Sequence, residues 1–226
     1  YKDTLGIVLA QEESTTGIVG KDYTTNSKDI YGYTLVSEPE NKNGVYIYNE
    51  NNEPIYVDYI YTKNEGSLEI NDVVKTQINK ILGANSTFKY VLSYNGKLDN
   101  YVGKANLTLV DTLPYEVESI EYDENVCSYD AATRKLTCNK EVEITKDNMS
   151  NILNTEIIVI VKYKGLTSTV DLAVKNIVDS KLVYGDKVAT SDASVTDTVK
   201  ASVVTAIYVD EDDKELADSE TTRGLI

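Results

Sequence analysis

Short runs in which apolar and polar residues alternate recur along the whole chain. Alternation with a period of two is typical of a strand with one buried face, because successive side chains of a strand point to opposite sides. At the two ends of the chain such runs cover 7–10, 33–36, 45–48, 55–61 and 203–209. In the middle they cover 73–77, 87–94, 105–110, 117–122, 136–138, 155–163, 169–176 and 187–189. The pattern predicts an all-β protein.

Polar and glycine-containing stretches between these runs predict the domain organisation. A first module covers 1–63, and a linker follows over 64–68. About eight short strands over 69–202 are typical of an immunoglobulin-like β-sandwich. Residues 203–226 then form a single hairpin around an acidic turn over 210–214.

The two ends of the chain are copies of each other. Residues 1–19 align without a gap to residues 208–226, and seven of the nineteen positions are identical, against roughly one expected by chance. The identical pairs are Tyr1/Tyr208, Asp3/Asp210, Leu9/Leu216, Ala10/Ala217, Glu13/Glu220, Thr15/Thr222 and Gly17/Gly224. Self-similarity of this kind indicates a tandem-repeat array cut at an arbitrary point.

Four stretches of these end segments resemble the MucBP (mucin-binding protein) repeat over 1–63 and 203–226. They are Tyr208-Val-Asp-Glu-Asp-Asp-Lys-Glu-Leu-Ala-Asp-Ser-Glu, Gly17-Ile-Val-Gly-Lys-Asp-Tyr-Thr-Thr, Gly32-Tyr-Thr-Leu-Val and Val57-Asp-Tyr-Ile-Tyr. The resemblance implies a small β-grasp-like module of Gram-positive surface proteins, some of which bind mucin glycans. The first copy departs from the repeat at its N-terminus, where most of the opening strand is missing.

The middle of the chain resembles the DUF11-type or isopeptide-forming adhesin domains of bacterial surface proteins. The stretches that carry this resemblance are Tyr101-Val-Gly-Lys-Ala-Asn-Leu-Thr-Leu-Val-Asp-Thr-Leu-Pro, the Cys-Ser-Tyr-Asp hairpin and Val174-Lys-Asn. It implies an intramolecular isopeptide bond. The position that matches the family lysine is Lys75, with Lys80 as the alternative, Asn176 as the acceptor and Asp111 as the helper acid.

Periodicity separately places two of these polar side chains on core faces. Asp111 shares its phase with Leu109, and Asn176 shares its phase with Leu172 and Val174. Burial raises the pKa of an aspartate and lowers that of a lysine, which gives a neutral amine nucleophile and a protonated acid that polarises the amide. The structural alternative is that Asp111 caps the turn that follows it and Asn176 hydrogen-bonds a strand edge.

Composition excludes several classes of function. The net charge of −15 repels nucleic acid and anionic lipid heads. The chain has no histidine, the commonest general base and transition-metal ligand. No apolar run approaches the roughly 20 residues that span a bilayer. We therefore expect no enzyme beyond autocatalytic self-crosslinking, no cofactor or metal, no nucleic-acid partner and no membrane insertion of this segment.

Cys127 and Cys138 are separated by ten residues with a turn between two short alternating arms. A disulfide across this hairpin is expected in an exported protein, and two reduced thiols are the alternative. Tyr56, Tyr59 and Tyr61 form a candidate glycan platform, although alternate members of the set are expected in the core.

These observations predict a repeat unit of a bacterial adhesin, extracellular and at the cell surface or wall. One hypothesis is that the unit binds host mucin or glycan, or projects a distal binding domain from the wall. The other is a purely structural stalk or self-assembling fibre without a ligand. In either case the exposed edge of 203–209 is expected to recruit residues 1–63 of a neighbouring repeat or chain, head to tail.

Overall fold

The computed structural model describes residues 1–51, 53–77, 82–148 and 154–225. In these residues the chain forms strands and no helix, so the predicted all-β class is confirmed. The strands are β1 (Lys2–Asp3), β2 (Asp22–Thr24), β3 (Tyr33–Leu35), β4 (Asn43–Val45), β5 (Ile60–Lys63), β6 (Ser67–Gln77), β7 (Thr87–Asp99), β8 (Gly103–Thr112), β9 (Val117–Glu121), β10 (Cys127–Asp130), β11 (Lys135–Ile144), β12 (Thr155–Tyr163), β13 (Leu172–Tyr184), β14 (Lys187–Val199), β15 (Ala201–Val209) and β16 (Glu215–Leu225).

The chain divides into two units. Unit 1 consists of Tyr1–Glu69, Leu98–Lys104 and Glu143–Ile152. Unit 2 consists of Ile70–Lys97, Ala105–Val142 and Leu153–Ile226. The domain bounds read from the sequence stay predictions.

Unit 1 is built of very short strands. β5 is the middle strand of a three-stranded sheet, in which β1 pairs with it in parallel and β3 pairs with it antiparallel. A separate antiparallel pair consists of β2 and β4. Two predicted strands are shorter than expected: 7–10 is reduced to a single bridge between Val8 and Lys2, and the run over 55–61 pairs only from Ile60 onward. Alternation reports a buried face, but a strand also needs a neighbour to pair with.

Unit 2 is a β-sandwich. Its five-stranded sheet has the order β10-β11-β8-β13-β14, and its four-stranded sheet has the order β6-β7-β12-β9. The central strand β13 pairs with β14 over its whole length and with β8 from Ile177 to Tyr184. These two antiparallel pairings fix the register of the side chains on β8, β13 and β14.

The core of unit 2 follows the alternation of its strands. Every second residue is buried along β7, β8, β12 and β13. The fully buried aromatic side chains are Phe88, Tyr90, Tyr94 and Tyr163, and they pack with leucines and valines from both sheets. Because the chain has no tryptophan and one phenylalanine, the aromatic part of this core is mostly tyrosine.

The last two strands, β15 and β16, form a two-stranded antiparallel ribbon. Nearly all of their side chains are exposed on both faces, including the apolar Val203, Val204 and Ile207. The ribbon continues directly from β14. Asp171 fixes this junction, because its carboxylate pairs with Lys200 at 2.7 Å and accepts a hydrogen bond from the Ala201 N–H at 2.9 Å.

Candidate functional site: a buried lysine, aspartate and asparagine

Strand alternation places Asp111 and Asn176 inside the sandwich. Asp111 is the inward residue after Leu109 on β8, and Asn176 is the inward residue between Val174 and Val178 on β13. Both are fully buried. The expectation that these two side chains point inward agrees with their place in the structure.

Lys75 enters the same interior from the other sheet. It lies on β6, its side chain is fully buried, and its Nζ contacts Asp111 Oδ1 at 2.5 Å. The Nζ also lies 4.7 Å from the centre of the Tyr90 ring, a cation–π distance. The alternative lysine, Lys80, lies outside the described residues.

Asn176 stands beside this ion pair. Asp111 lies directly opposite Val178, so Asn176, two residues away on the same face of β13, is its diagonal neighbour. Neither amide atom of Asn176 has a hydrogen-bond partner, and the second oxygen of Asp111 has none either. Buried polar atoms are almost always paired, so an unpaired amide next to an unpaired carboxylate oxygen is an uncommon arrangement that calls for a reason.

Burial moves both ends of the ion pair toward their neutral forms. It lowers the pKa of Lys75 to about 8, although the nearby charges of Asp111 and Asp197 act in the opposite direction. Burial likewise raises the pKa of Asp111, against the charge and hydrogen bond of Lys75 and the weaker effect of the Asn176 amide. Both shifts favour the passage of a proton from the lysine to the aspartate, which leaves a neutral amine beside an amide.

Sequence reasoning missed three further polar members of this cluster, Asp197, Tyr90 and Tyr163. Asp197 on β14 is buried, and the hydroxyls of Tyr90 and Tyr163 are buried without a hydrogen-bond partner. The phase argument used for Asp111 would have found Asp197, because it alternates with the buried Val199. The predicted strand ended at 189, eight residues before Asp197, so the argument was not applied to it.

The two cysteines form a disulfide, as expected rather than as reduced thiols. Cys127 and Cys138 lie directly opposite each other on β10 and β11, with 4.0 Å between their Cα atoms. The turn between the strands is stabilised by Asp130, whose carboxylate accepts hydrogen bonds from the Ala132 N–H and the Thr133 hydroxyl.

The three tyrosines proposed as a glycan platform do not share one surface. Tyr56 is 72% exposed, but Tyr59 and Tyr61 are 2% and 1% exposed. The Tyr59 hydroxyl hydrogen-bonds Thr25 at 2.9 Å, and the Tyr61 hydroxyl donates to the Lys28 carbonyl at 2.8 Å. The predicted glycan platform is therefore wrong. Tyr59 and Tyr61 lie in the core of unit 1, and of the three tyrosines only Tyr56 is accessible to a ligand.

The repeated ends of the chain form the same turn twice. The Asp3 carboxylate accepts the N–H groups of Leu5 and Ile7, at 2.9 and 2.8 Å, and the Gly6 N–H donates to the Asp3 carbonyl. The same four positions shifted by 207 residues repeat each of these contacts: Asp210 accepts from Asp212 and Lys214, at 3.0 and 2.9 Å, and Asp213 donates to the Asp210 carbonyl. Gly6 and Asp213 both have positive φ, 85° and 61°.

The strand pairing next to the turn also repeats. Lys2 lies opposite Val8 in the first copy, and Val209 lies opposite Glu215 in the second. Equivalent residues in equivalent register mean that the sequence identity between the two ends reflects one structural element.

The MucBP domain matches the chain at residues 1–62 and 203–226. Together the two matched segments make up less than half of the chain, and both are similar to this domain. Internalin J of Listeria monocytogenes serotype 4b strain F2365 is 36% identical over 99 residues, which are 38% of this chain and 10% of that protein. Internalin J of serovar 1/2a strain EGD-e is 35% identical over 99 residues, 38% of this chain and 11% of that protein. The chain thus spans about a tenth of the length of these relatives.

Two solved structures are similar at low identity. The full-length major pilin SpaD of Corynebacterium diphtheriae aligns with a TM-score of 0.45 and 14% identity, over 84% of this chain and 48% of that one. AggA, the major subunit of aggregative adherence fimbriae type I of Escherichia coli, aligns with a TM-score of 0.33 and 10% identity, over 61% of this chain and 99% of that one.

Among the described residues, no group of three or more His, Cys, Asp or Glu side chains is placed to hold a metal ion. Likewise, no helix in the described ranges is long and apolar enough to cross a membrane.

Proposed function

We propose that this chain is a repeat unit of a bacterial surface adhesin whose sandwich is closed by an isopeptide bond between Lys75 and Asn176. The observation that supports the crosslink is the buried contact of Lys75 with Asp111 beside an unpaired amide. A structural role for Asp111 as a turn cap explains neither the lysine nor the empty hydrogen-bonding positions of Asn176.

The bond forms without a cofactor or oxidant. Lys75 passes a proton to Asp111, and its neutral Nζ attacks Cγ of Asn176. The new Nζ–Cγ bond forms, the Cγ–Nδ2 bond breaks, and a proton moves from the attacking nitrogen to Nδ2, which leaves as ammonia. The products are a secondary amide, free ammonia and a protonated Asp111, so charge and protons balance.

Intact mass of the reduced, denatured chain tests the crosslink. Wild type is lighter than its sequence by one ammonia, whereas Lys75→Ala and Asn176→Ala have the full mass. Asn106→Ala, which alters an exposed asparagine on β8, is the matched control and stays lighter by one ammonia. A wild-type chain of full mass would rule out the bond.

The MucBP match supports host mucin or glycan as the partner, at the extracellular face of the bacterial surface or wall. Binding of the folded chain to immobilised mucin and to a glycan array is the test. Tyr56→Ala should weaken binding because Tyr56 is the accessible member of the tyrosine set, and Lys175→Ala on the exposed face of β13 should not. Binding to neither support would favour the stalk or fibre function without a ligand.

The ribbon supports a second role, head-to-tail contact between neighbouring repeats or chains. Its equivalent in the first copy places β1 in parallel with β5, so β15 is expected to lie beside the 55–59 stretch of the unit it joins. Ile55 and Tyr56 are exposed along that stretch. A fibre or stalk is the outcome when such contacts repeat without closing.

Light scattering tests this contact. The apparent mass of the chain should rise with concentration, and Val204→Lys in the exposed apolar ribbon should keep the chain monomeric. Lys175→Ala is the control. A strict monomer at all concentrations would argue against association through the ribbon.

A further inference from the structure

The interior around Lys75 holds a second acid. Asp197 on β14 is 7% exposed and lies opposite Val174, while Asp111 on β8 lies opposite Val178. Asn176 lies between these two positions on the same face of β13. The two acids therefore flank the amide from the two neighbouring strands, each at a diagonal position.

The unpaired atoms of this group are complementary. Both amide atoms of Asn176, Oδ2 of Asp111 and Oδ2 of Asp197 are buried without a partner. An ionised carboxylate only accepts hydrogen bonds, so Asp111, already held by Lys75, suits the amide nitrogen. The amide oxygen needs a donor, which a second aspartate supplies only when it is protonated.

Charge balance favours that protonated form. Within the described residues the cluster has one cation, Lys75, and its ion pair is with Asp111. A second carboxylate would add an uncompensated charge to the buried cluster, which is costly. Burial raises the pKa of Asp197, more than the Tyr90 hydroxyl and the Lys75 charge lower it. The other titratable groups that face the cluster are Tyr90 and Tyr163, whose pKa values burial also raises.

We propose that the two aspartates divide the chemistry of the crosslink: Asp111 is the base that takes the proton from Lys75, and neutral Asp197 donates a hydrogen bond to the amide oxygen of Asn176. This inference rests on the isopeptide bond proposed above. A donor at Oδ1 stabilises the negative charge that develops there as the Nζ–Cγ bond forms. Asp197 keeps its proton when the carbonyl re-forms, so the balance of the reaction is unchanged.

Substitution separates a neutral donor from a base. Asp197→Asn keeps a neutral N–H donor, so its rate of crosslinking should stay within about tenfold of wild type. Asp197→Ala removes the donor and should slow the reaction about 100-fold, the range found for the loss of one oxyanion donor. Asp111→Asn removes the base and should abolish it. Asp192→Asn, on the exposed face of β14, should have no effect.

The pH profile gives a readout that a merely structural role would not change. As pH rises through the pKa of Asp197, the carboxyl ionises and the hydrogen-bond donor is lost. The crosslinking rate of wild type should therefore fall at alkaline pH. Asp197→Asn cannot ionise, and its profile should lack the same alkaline fall. Asp192→Asn should keep it.

The reaction is started by refolding the full chain from denaturant, because the unfolded chain does not bring the three groups together. Samples are quenched in acid denaturant and reduced, and mass spectrometry of the intact chain measures the loss of one ammonia. Circular dichroism confirms that each variant folds. If Asp197→Asn is as slow as Asp111→Asn, Asp197 acts as a base and the division of roles is wrong. If Asp197→Ala reacts like wild type, Asp197 has no role. A wild type that never loses ammonia overturns the crosslink itself.

Discussion

Burial draws the buried ion pair of Lys75 and Asp111 toward its neutral form. Lys75 and Asp111 are both fully buried, and burial shifts the pKa of each toward the neutral form. Their direct contact offsets part of this shift. The free energy between the two protonation states is therefore smaller at this position than for a solvated pair.

Stability of an uncrosslinked variant should report the lowered pKa of Lys75. Burial lowers the pKa of Lys75 to about 8 from its ordinary value of 10.5, and Asn176→Ala, which cannot form the crosslink, should keep this shift. Between these two values the unfolded chain binds more protons than the folded chain, so the free energy of unfolding should increase as pH rises from about 8 to about 10.5. Urea titrations of Asn176→Ala and Asn176→Ala/Lys75→Met measure it. The increase should be missing in the double variant; equal slopes would contradict the shift.

Two tyrosines of unit 1 should differ sharply in their contribution to stability. Tyr59 is buried and its ring stacks on Tyr1 at 5.5 Å, so Tyr59→Ala should lower the free energy of unfolding by about 3 kcal/mol. Tyr56→Ala removes an exposed ring and should change it by less than about 0.5 kcal/mol. Thermal or urea unfolding of the full chain measures both effects. Similar losses of stability for the two variants would contradict the difference in burial.

At the scale of single elements, the β10–β11 hairpin is closed twice. The disulfide joins directly opposite residues near its open end, and the Asp130 turn closes the other end. A covalent bond across so short a loop removes less chain entropy than one across a long loop. The disulfide is therefore local reinforcement of one edge of the sandwich.

Removal of this disulfide should cost about 2–3 kcal/mol by the chain-entropy relation for a loop of this length. The variant Cys127→Ala/Cys138→Ala is compared with wild type in urea, with and without reductant. In reductant, the free energy of unfolding of wild type should approach that of the double variant. Reductant should not change the stability of the double variant. A double variant as stable as oxidised wild type would show that the bond does not stabilise the fold.

Strand alternation predicted some elements better than others, for a physical reason. The inward neighbours of Asp111 on β8 are leucines and those of Asn176 on β13 are valines, so both stood out as polar residues in an apolar phase. On β14 the inward positions before Asp197 are only half-buried and include small or polar residues. Apolar and polar positions therefore do not alternate clearly in its sequence, and the strand was predicted to end at 189. Alternation detects burial on one side; it cannot detect a strand whose face is weakly covered.

Partner strands were equally outside the reach of the sequence. The runs at 7–10 and 55–61 alternate well, yet their pairing in unit 1 is limited to one bridge and to the residues from Ile60 onward. Lys75 was found only through the family resemblance, because phase could not choose between it and Lys80. The cross-sheet contact that selects Asp111 as its partner is a tertiary fact.

For the whole molecule, the two covalent bonds should contribute unequally. The proposed Lys75–Asn176 bond joins β6 to β13 and encloses about 100 residues, a loop for which the chain-entropy relation gives about 4–5 kcal/mol. Asn176→Ala should therefore unfold at markedly lower urea concentration than wild type, and Asn106→Ala should not. Fluorescence or circular dichroism gives the midpoints. Equal midpoints for crosslinked wild type and Asn176→Ala would contradict the expected gain.

The two matching turns at Asp3 and Asp210 have a consequence for how genes of this kind change length. Because both aspartates make the same contacts, a junction in which residue 207 is followed directly by Tyr1 of another copy keeps the turn and its register. A gene can then gain or lose copies by recombination between repeats in steps of 207 codons, without a new turn having to evolve at the join. The Asp-centred turn is thus a position at which two copies can be joined without a change in local structure.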